Sequence, residues 1–214
     1  MRFLLTLCLL SGLAAVEPVH LANDAVYAQK VQAVWAAKPD DKDPQALFRW
    51  LWSYSSACGD NRDYANAEYA ARAMVALAPQ YNIAHSNLSV ALGKQGKYQE
   101  ALQEAEIAKL LNPGDSMHPD AVACSWLFHL GRKQEAIDRF ATIPVPSEPQ
   151  MARFYWACRA CFYASVGDVA ELQAAIPKAM SGDADSRSFF ERDVIFDAYR
   201  GEPWFIELIG KTLK

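Results

Sequence analysis

Between short polar turns, apolar residues recur three and four positions apart: Leu88 and Leu92 in one segment, Ala101, Ala105 and Ala108 in the next. At 3.6 residues per turn, that spacing gathers them on one face of an α-helix. Alanine at such places lets two helices approach closely. Pro79 and Pro113 sit just past the second helix of their segments, where a residue without an N–H cannot extend it. The pattern predicts helices in pairs, joined at Asn61-Arg62-Asp63, Gln95-Gly96-Lys97, Leu130-Gly131-Arg132 and Val166-Gly167-Asp168. Glycine at the centre of such a turn suits the left-handed conformation that ends a helix. The first turn has Arg62 there instead, which weakens its match.

The flanks are helical as well. Residues from His20 to Ala37 read as one helix, with Val26, Val31, Val34 and Trp35 turned towards the pairs. A charged linker, Lys38 to Lys42, leads to Asp43 and Pro44, an acidic cap followed by a proline at the first helical position. At the other end, Ser186 to Tyr199 and Pro203 to Leu213 are expected as two helices, with Ser186 as the cap of the first. Their bulky residues, among them Phe190, Phe196, Trp204 and Phe205, suit packing over a last exposed face.

The pairs repeat. Residues 48–81 laid over 82–115 align Tyr64 with Tyr98, Ala67 with Ala101, Ala71 with Ala105 and Pro79 with Pro113, each at an offset of 34. The next units follow at 35 (Gly96 to Gly131, Ala101 to Ala136) and 36 (Gly131 to Gly167). One pair cannot bury its apolar face alone, whereas stacked neighbours make a continuous core.

Residues 82–113 resemble a tetratricopeptide repeat, through Leu88, the small Ser89, Leu92, Gly96, Tyr98, Ala101, Ala108 and Pro113. His85 stands where that family has a bulky aromatic, and Ala105 where it has a large residue. Residues 48–79 agree at Ser55, Tyr64, Ala67 and Pro79, with Cys58 in a bulky slot. Residues 117–144 agree at Cys124, Leu127, Gly131, Ala136 and Phe140, with Pro144 four positions early, and residues 153–180 agree mainly at Tyr163, Gly167 and Ala179. The resemblance implies an all-α, right-handed superhelical solenoid of stacked antiparallel helix pairs, with helical caps at both ends. Its expected layout is a capping helix and linker over 16–47, repeats at 48–81, 82–115, 117–144 and 153–180, and capping helices over 181–214. It also implies an inner face made by the first helices. In the first unit that face would carry Arg49, Trp52, Ser56, Gly59 and Asp60; in the second Ile83, Ser86, Val90 and Lys94. In the third it would carry His118, Ala121, Ser125, Phe128 and His129, with Phe154 opening the fourth. Such a groove suits an extended peptide or a helix of a protein partner. Trp52 is the expected anchor, since aromatic residues dominate binding hot spots. The lysine and asparagine clamp by which some relatives hold a terminal carboxylate is not matched, because Trp52 and Ser56 occupy its places in the first unit.

Composition narrows the function. With 52% hydrophobic residues the chain is globular, and a net charge of -4 offers no basic face for nucleic acid. No stretch reaches the ~20 apolar residues of a spanning helix. Met1 and Arg2, the apolar run Phe3 to Leu10, and small residues to Ala15 have the layout of a secretory signal over 1–15, with cleavage after Ala14 or Ala15. The alternatives are a lipid anchor on Cys8 or a buried N-terminal helix. Export makes the protein periplasmic or secreted, where disulfides form. Cys58 is expected to be a lone buried filler, while Cys124 has the option of a bridge to Cys161 or Cys158. The alternative is that all are buried thiols.

No phosphate loop, zinc-protease helix or serine elbow occurs, and Asn87-Leu88-Ser89 fits a glycosylation acceptor only by chance, because Leu88 is a core position. No metal or cofactor is expected. The reading is a non-catalytic adaptor for a protein or peptide. Its rivals are a dedicated inhibitor, immunity protein or chaperone and, from another class, a thiol redox enzyme using Cys158 and Cys161. Self-association is left open.

Overall fold

The computed structural model describes residues 25–39, 43–115, 117–181 and 186–211. The expected signal segment 1–15, the start of the helix expected from His20, and the linker residues 40–42 lie outside them. The described residues are all-helical, with no strand, and divide after Gly114 into two compact units.

The first unit holds α1 (Ala25–Ala36), α2 (Pro44–Asp60), α3 (Tyr64–Leu77), α4 (Asn82–Gly93) and α5 (Tyr98–Leu111). Each helix packs on the next, and α2 also touches α4. The Asp43 carboxylate starts α2 by accepting the N–H groups of Gln45 and Ala46, both at 3.0 Å, and Pro44 needs no partner there. Trp35 of α1 lies 5.6 Å from the Trp50 ring and 5.0 Å from that of Tyr54. The Trp50 indole N–H donates to the Val34 carbonyl at 2.7 Å, so the flanking helix is held by both apolar contact and a hydrogen bond. The core between α2, α3 and α4 is rich in alanine, with Ala67, Ala70, Ala73, Ala84 and Ala91 all buried.

Two features recur at the 34-residue offset. The Ser55 hydroxyl donates to the Ala67 carbonyl at 3.1 Å, and the Ser89 hydroxyl to the Ala101 carbonyl at 2.7 Å. Small side chains and these bonds bring each first helix against its second. Glu68 fastens α3 to the turn beyond α4. One carboxylate oxygen accepts from Arg72 at 2.9 and 2.7 Å, the other from Gln95 at 2.7 Å and Lys97 at 2.6 Å. Burial works to raise its pKa, but the bonds from Lys97, Arg72 and Gln95 outweigh it and hold the carboxyl below the usual range.

Among the described residues, the left-handed backbone positions are Arg62 (φ 60°), Gly96 (78°), Gly131 (82°) and Gly167 (83°), one in each expected turn. In each, the following N–H reaches back five residues: Asp63 to Cys58, Lys97 to Leu92, Arg132 to Leu127 and Asp168 to Tyr163, at 2.8–3.1 Å. That bond closes a Schellman motif. Arg62 adopts the conformation without being glycine, so the first turn is built like the others although its sequence is not.

The second unit holds α6 (Met117–His129), α7 (Lys133–Ala141), α8 (Pro149–Val166), α9 (Val169–Ala179), α10 (Ser186–Arg192), a 3-10 turn at Val194–Phe196, and α11 (Pro203–Lys211). α6 packs directly on α8, α8 on α9, and α9 on α11. α7 has nine residues against fourteen in α3 and α5, in keeping with the early Pro144. It reaches α8 chiefly through Phe140, which stacks on Phe162 with centroids 4.4 Å apart and also approaches Tyr155 and Tyr163.

α8 begins at Pro149, where the Glu148 carboxylate caps it by accepting the Met151 N–H at 2.7 Å. One expectation needs correction in this unit. The helix expected over Ser186–Tyr199 stops at Arg192. Asp193 takes an extended backbone and its side chain accepts the Ile195 N–H at 3.0 Å, which competes with the helical bond. Arg200 then pairs with Asp197 and donates to the Asp193 carbonyl at 2.6 Å, and the Tyr199 hydroxyl donates to the Ala164 carbonyl at 3.0 Å. Phe190, Phe196, Phe205 and Ile209 fill the core this end segment shares with α8 and α9.

Candidate interaction surface

α2 turns Leu47, Trp50, Leu51, Tyr54, Ser55, Ala57 and Cys58 inwards. Residues three and four apart on the other side stay in solvent: Arg49, Trp52 and Ser56 form one exposed stripe, with Trp52 47% exposed. Next to it, Gly59 is half-buried and the exposed Asp60 is paired with Lys30 of α1. α4 lies beside α2 and brings Ile83, Val90 and Lys94, all half-buried. Ser86 is buried at 7% exposure and is corrected from an open contact to a covered one. Its side chain is too short to clear its neighbours, whereas the indole at the equivalent place in α2 projects past them.

The second unit has its own set. His118 of α6 is half-buried with its ring 5.1 Å from Phe154 of α8, which is 43% exposed. Ser125 is half-buried and its hydroxyl donates to the Ala121 carbonyl in its own helix at 3.3 Å, while Ala121 itself is buried. Phe128 is half-buried, with the Lys133 ammonium 5.3 Å above its ring and the exposed His129 edge-on at 6.1 Å. The candidate residues thus form two local surfaces, one on each unit.

Sequence reasoning missed two aromatic features. Tyr81, ahead of α4, is 44% exposed and meets Phe48 of α2 edge-on at 5.3 Å, which adds aromatic surface to the first unit. On α8, Trp156 has the Arg159 guanidinium 5.5 Å away and the Lys178 ammonium of α9 at 3.9 Å. Arg159 also donates to Glu171 at 2.7 Å, so this cluster binds α8 to α9. Nothing in linear spacing marks the second cluster, since its members come from two helices of the least regular pair.

The cysteines form no disulfide among the described residues; Cys58 and Cys124 are buried, and Cys158 and Cys161 half-buried, thiols. Burial pushes the Cys58 thiol up to about 12, and burial does the same to Cys158. At neutral pH both carry their proton, whereas nucleophilic and redox chemistry uses the thiolate. In the Asn87-Leu88-Ser89 sequence, Ser89 is fully buried and bonded to Ala101, and the half-buried Asn87 donates from its side-chain amide to the Ile83 carbonyl at 2.8 Å. Among the described residues no group of three His, Cys, Asp or Glu side chains is placed to hold a metal ion, and no helix is long and apolar enough to cross a membrane.

The described residues form an all-α protein of adjacent packed helices, with exposed aromatic side chains at Trp52 on α2 and Phe154 on α8. Comparison with protein-family models, with curated proteins and with solved structures finds no match.

Proposed function

We propose that this is an exported, tetratricopeptide-like adaptor of the cell envelope, whose helix pairs stack as a right-handed solenoid and whose first helices dock a peptide segment or helix of a protein partner. The reading rests on one observation above all: Trp52 is 47% exposed in a stripe with Arg49 and Ser56, on the face of α2 opposite its buried side. Leaving an indole in water forgoes burial of a large apolar surface, and at binding surfaces such residues are the ones that carry affinity. The signal-like N-terminus supports the compartment. The test is in-cell crosslinking followed by affinity capture, comparing wild type with Trp52→Ala. Loss of an anchor worth about 2 kcal/mol weakens capture of the specific partner roughly 30-fold. Capture unchanged by the substitution, with the protein folded, removes this groove assignment.

A further inference from the structure

Charge is divided unevenly between the helices of each pair. α2 and α4 together carry one carboxylate, Asp60, and Lys30 of α1 pairs with it. α3 and α5 carry four: Glu68, Glu100, Glu104 and Glu106. The second unit repeats the division. α6 and α8 carry only Asp120, which is buried and accepts from Arg139 of α7 at 2.6 Å, while α7 and α9 carry Glu135, Asp138 and Glu171. The ring of His85 on α4 is likewise buried and turned onto Glu104 of α5 at 2.6 Å. Asp43, which precedes α2, is occupied as its cap. In a chain of net charge -4, the first helices therefore present no unpaired carboxylate among the described residues.

One cation on that side of the first unit is left open. Arg49 is exposed, and among the described residues its guanidinium has no acceptor. It stands three residues before Trp52, and Phe48 stands four before it, so both neighbour the indole on the surface of α2. Tyr81 extends the aromatic surface beyond Phe48, its ring 5.3 Å away. We propose, resting on the docking reading above, that the segment docked on the first unit is acidic. A carboxylate side chain of the partner pairs with Arg49 while an adjoining apolar side chain lies on the aromatic surface. A guanidinium matches a carboxylate with two parallel N–H groups. An apolar side chain seated beside that pair excludes water from it, which strengthens the attraction. The carboxylates of α3 and α5 repel the same segment from the other helices, so charge also directs where it lands. A basic segment meets the reverse on both counts, and that repulsion gives specificity.

The test is selection of phage-displayed random peptides on the full chain as wild type, Arg49→Glu and Trp52→Ala, each checked for helical content by circular dichroism. Arg49 is exposed and unpaired, so its substitution leaves the packing of α2 alone. Wild type is expected to enrich sequences with Asp or Glu close to Trp, Phe or Leu. Arg49→Glu is expected to enrich Lys or Arg in that place, and Trp52→Ala to lose the enrichment. The most enriched wild-type peptide, synthesised, is expected to bind Arg49→Glu roughly tenfold more weakly by fluorescence anisotropy, with the gap narrowing as salt is raised. Peptides that depend on Trp52 but are neutral or basic, or that bind Arg49→Glu as well as wild type, overturn the acidic partner and leave the docking reading standing. No enrichment, or enrichment that Trp52→Ala leaves unchanged, overturns both.

Discussion

The two units are built from helices of similar kind, yet the seams between their helix pairs are filled differently. In the first, alanines at 67, 70, 73, 84 and 91 line the contacts between α2, α3 and α4, and serine hydroxyls at 55 and 89 bond across each pair. In the second, the place of those serines is taken by Cys124 and Ala160, and aromatic rings fill the space: Phe140 on Phe162, and Phe190, Phe196 and Phe205 below α9. Small residues allow backbones to close together, so α3 packs on α4 along its length. Large rings hold α7 off α8, and α6 carries the packing instead. A seam of small side chains fails when volume is added; a seam of rings fails when volume is removed.

That contrast is open to attack by substitution. The largest effect is expected at Phe140, which is fully buried. Phe140→Ala leaves a cavity among rings and costs about 3–5 kcal/mol by urea denaturation. In the first unit the damaging change runs the other way. Ala101→Leu adds volume where the Ala101 carbonyl meets Ser89 and is expected to cost about 1–3 kcal/mol. If the first substitution is cheap and the second neutral, the two seams do not differ in this way.

Glu68 sharpens the comparison through pH. Its carboxyl is held below the ordinary range, so its contribution is complete above about pH 4.3 and is lost as pH falls through the lower folded value. Glu68→Gln is expected to cost about 1–3 kcal/mol at pH 7 and to flatten the acid side of the stability profile. An unchanged slope between pH 5 and 3 would show that Glu68 is not the sensor. The smallest effect concerns the turns. Arg62 holds a left-handed conformation that costs an L-residue roughly 1–2 kcal/mol, so Arg62→Gly is expected to stabilise by about 0.5–1 kcal/mol. Gly96→Ala meets no neighbouring atom and should lose about 1 kcal/mol through the backbone alone. Equal and opposite shifts in the urea midpoint would confirm that the two turns share one geometry.

Much of the fold was legible because it is written locally. Gly96, Gly131 and Gly167 announced their turns, and Asp43 with Pro44 announced α2. The start of α8 carries the same kind of signal in Glu148 and Pro149. The break after Arg192 was signalled by Asp193, a residue that competes with helical hydrogen bonds, though its neighbours Phe189, Phe190 and Phe196 keep an apolar helical look. The candidate surface was legible only in part. The stripe of Arg49, Trp52 and Ser56 follows from helical spacing once the buried side of α2 is known. The burial of Ser86, at the place equivalent to Trp52, does not, because exposure depends on the height of adjoining side chains.

Helical spacing, turn positions and the alternation of first and second helices came from the sequence by itself, since each is a property of a few consecutive residues and their backbone preferences. The tertiary structure alone decided that the helices gather into two units, that α6 rather than α7 packs along α8, and that His85 meets Glu104 while Asp120 meets Arg139. Those outcomes depend on the volumes and hydrogen-bonding groups of side chains far apart along the chain, which meet only when the helices pack.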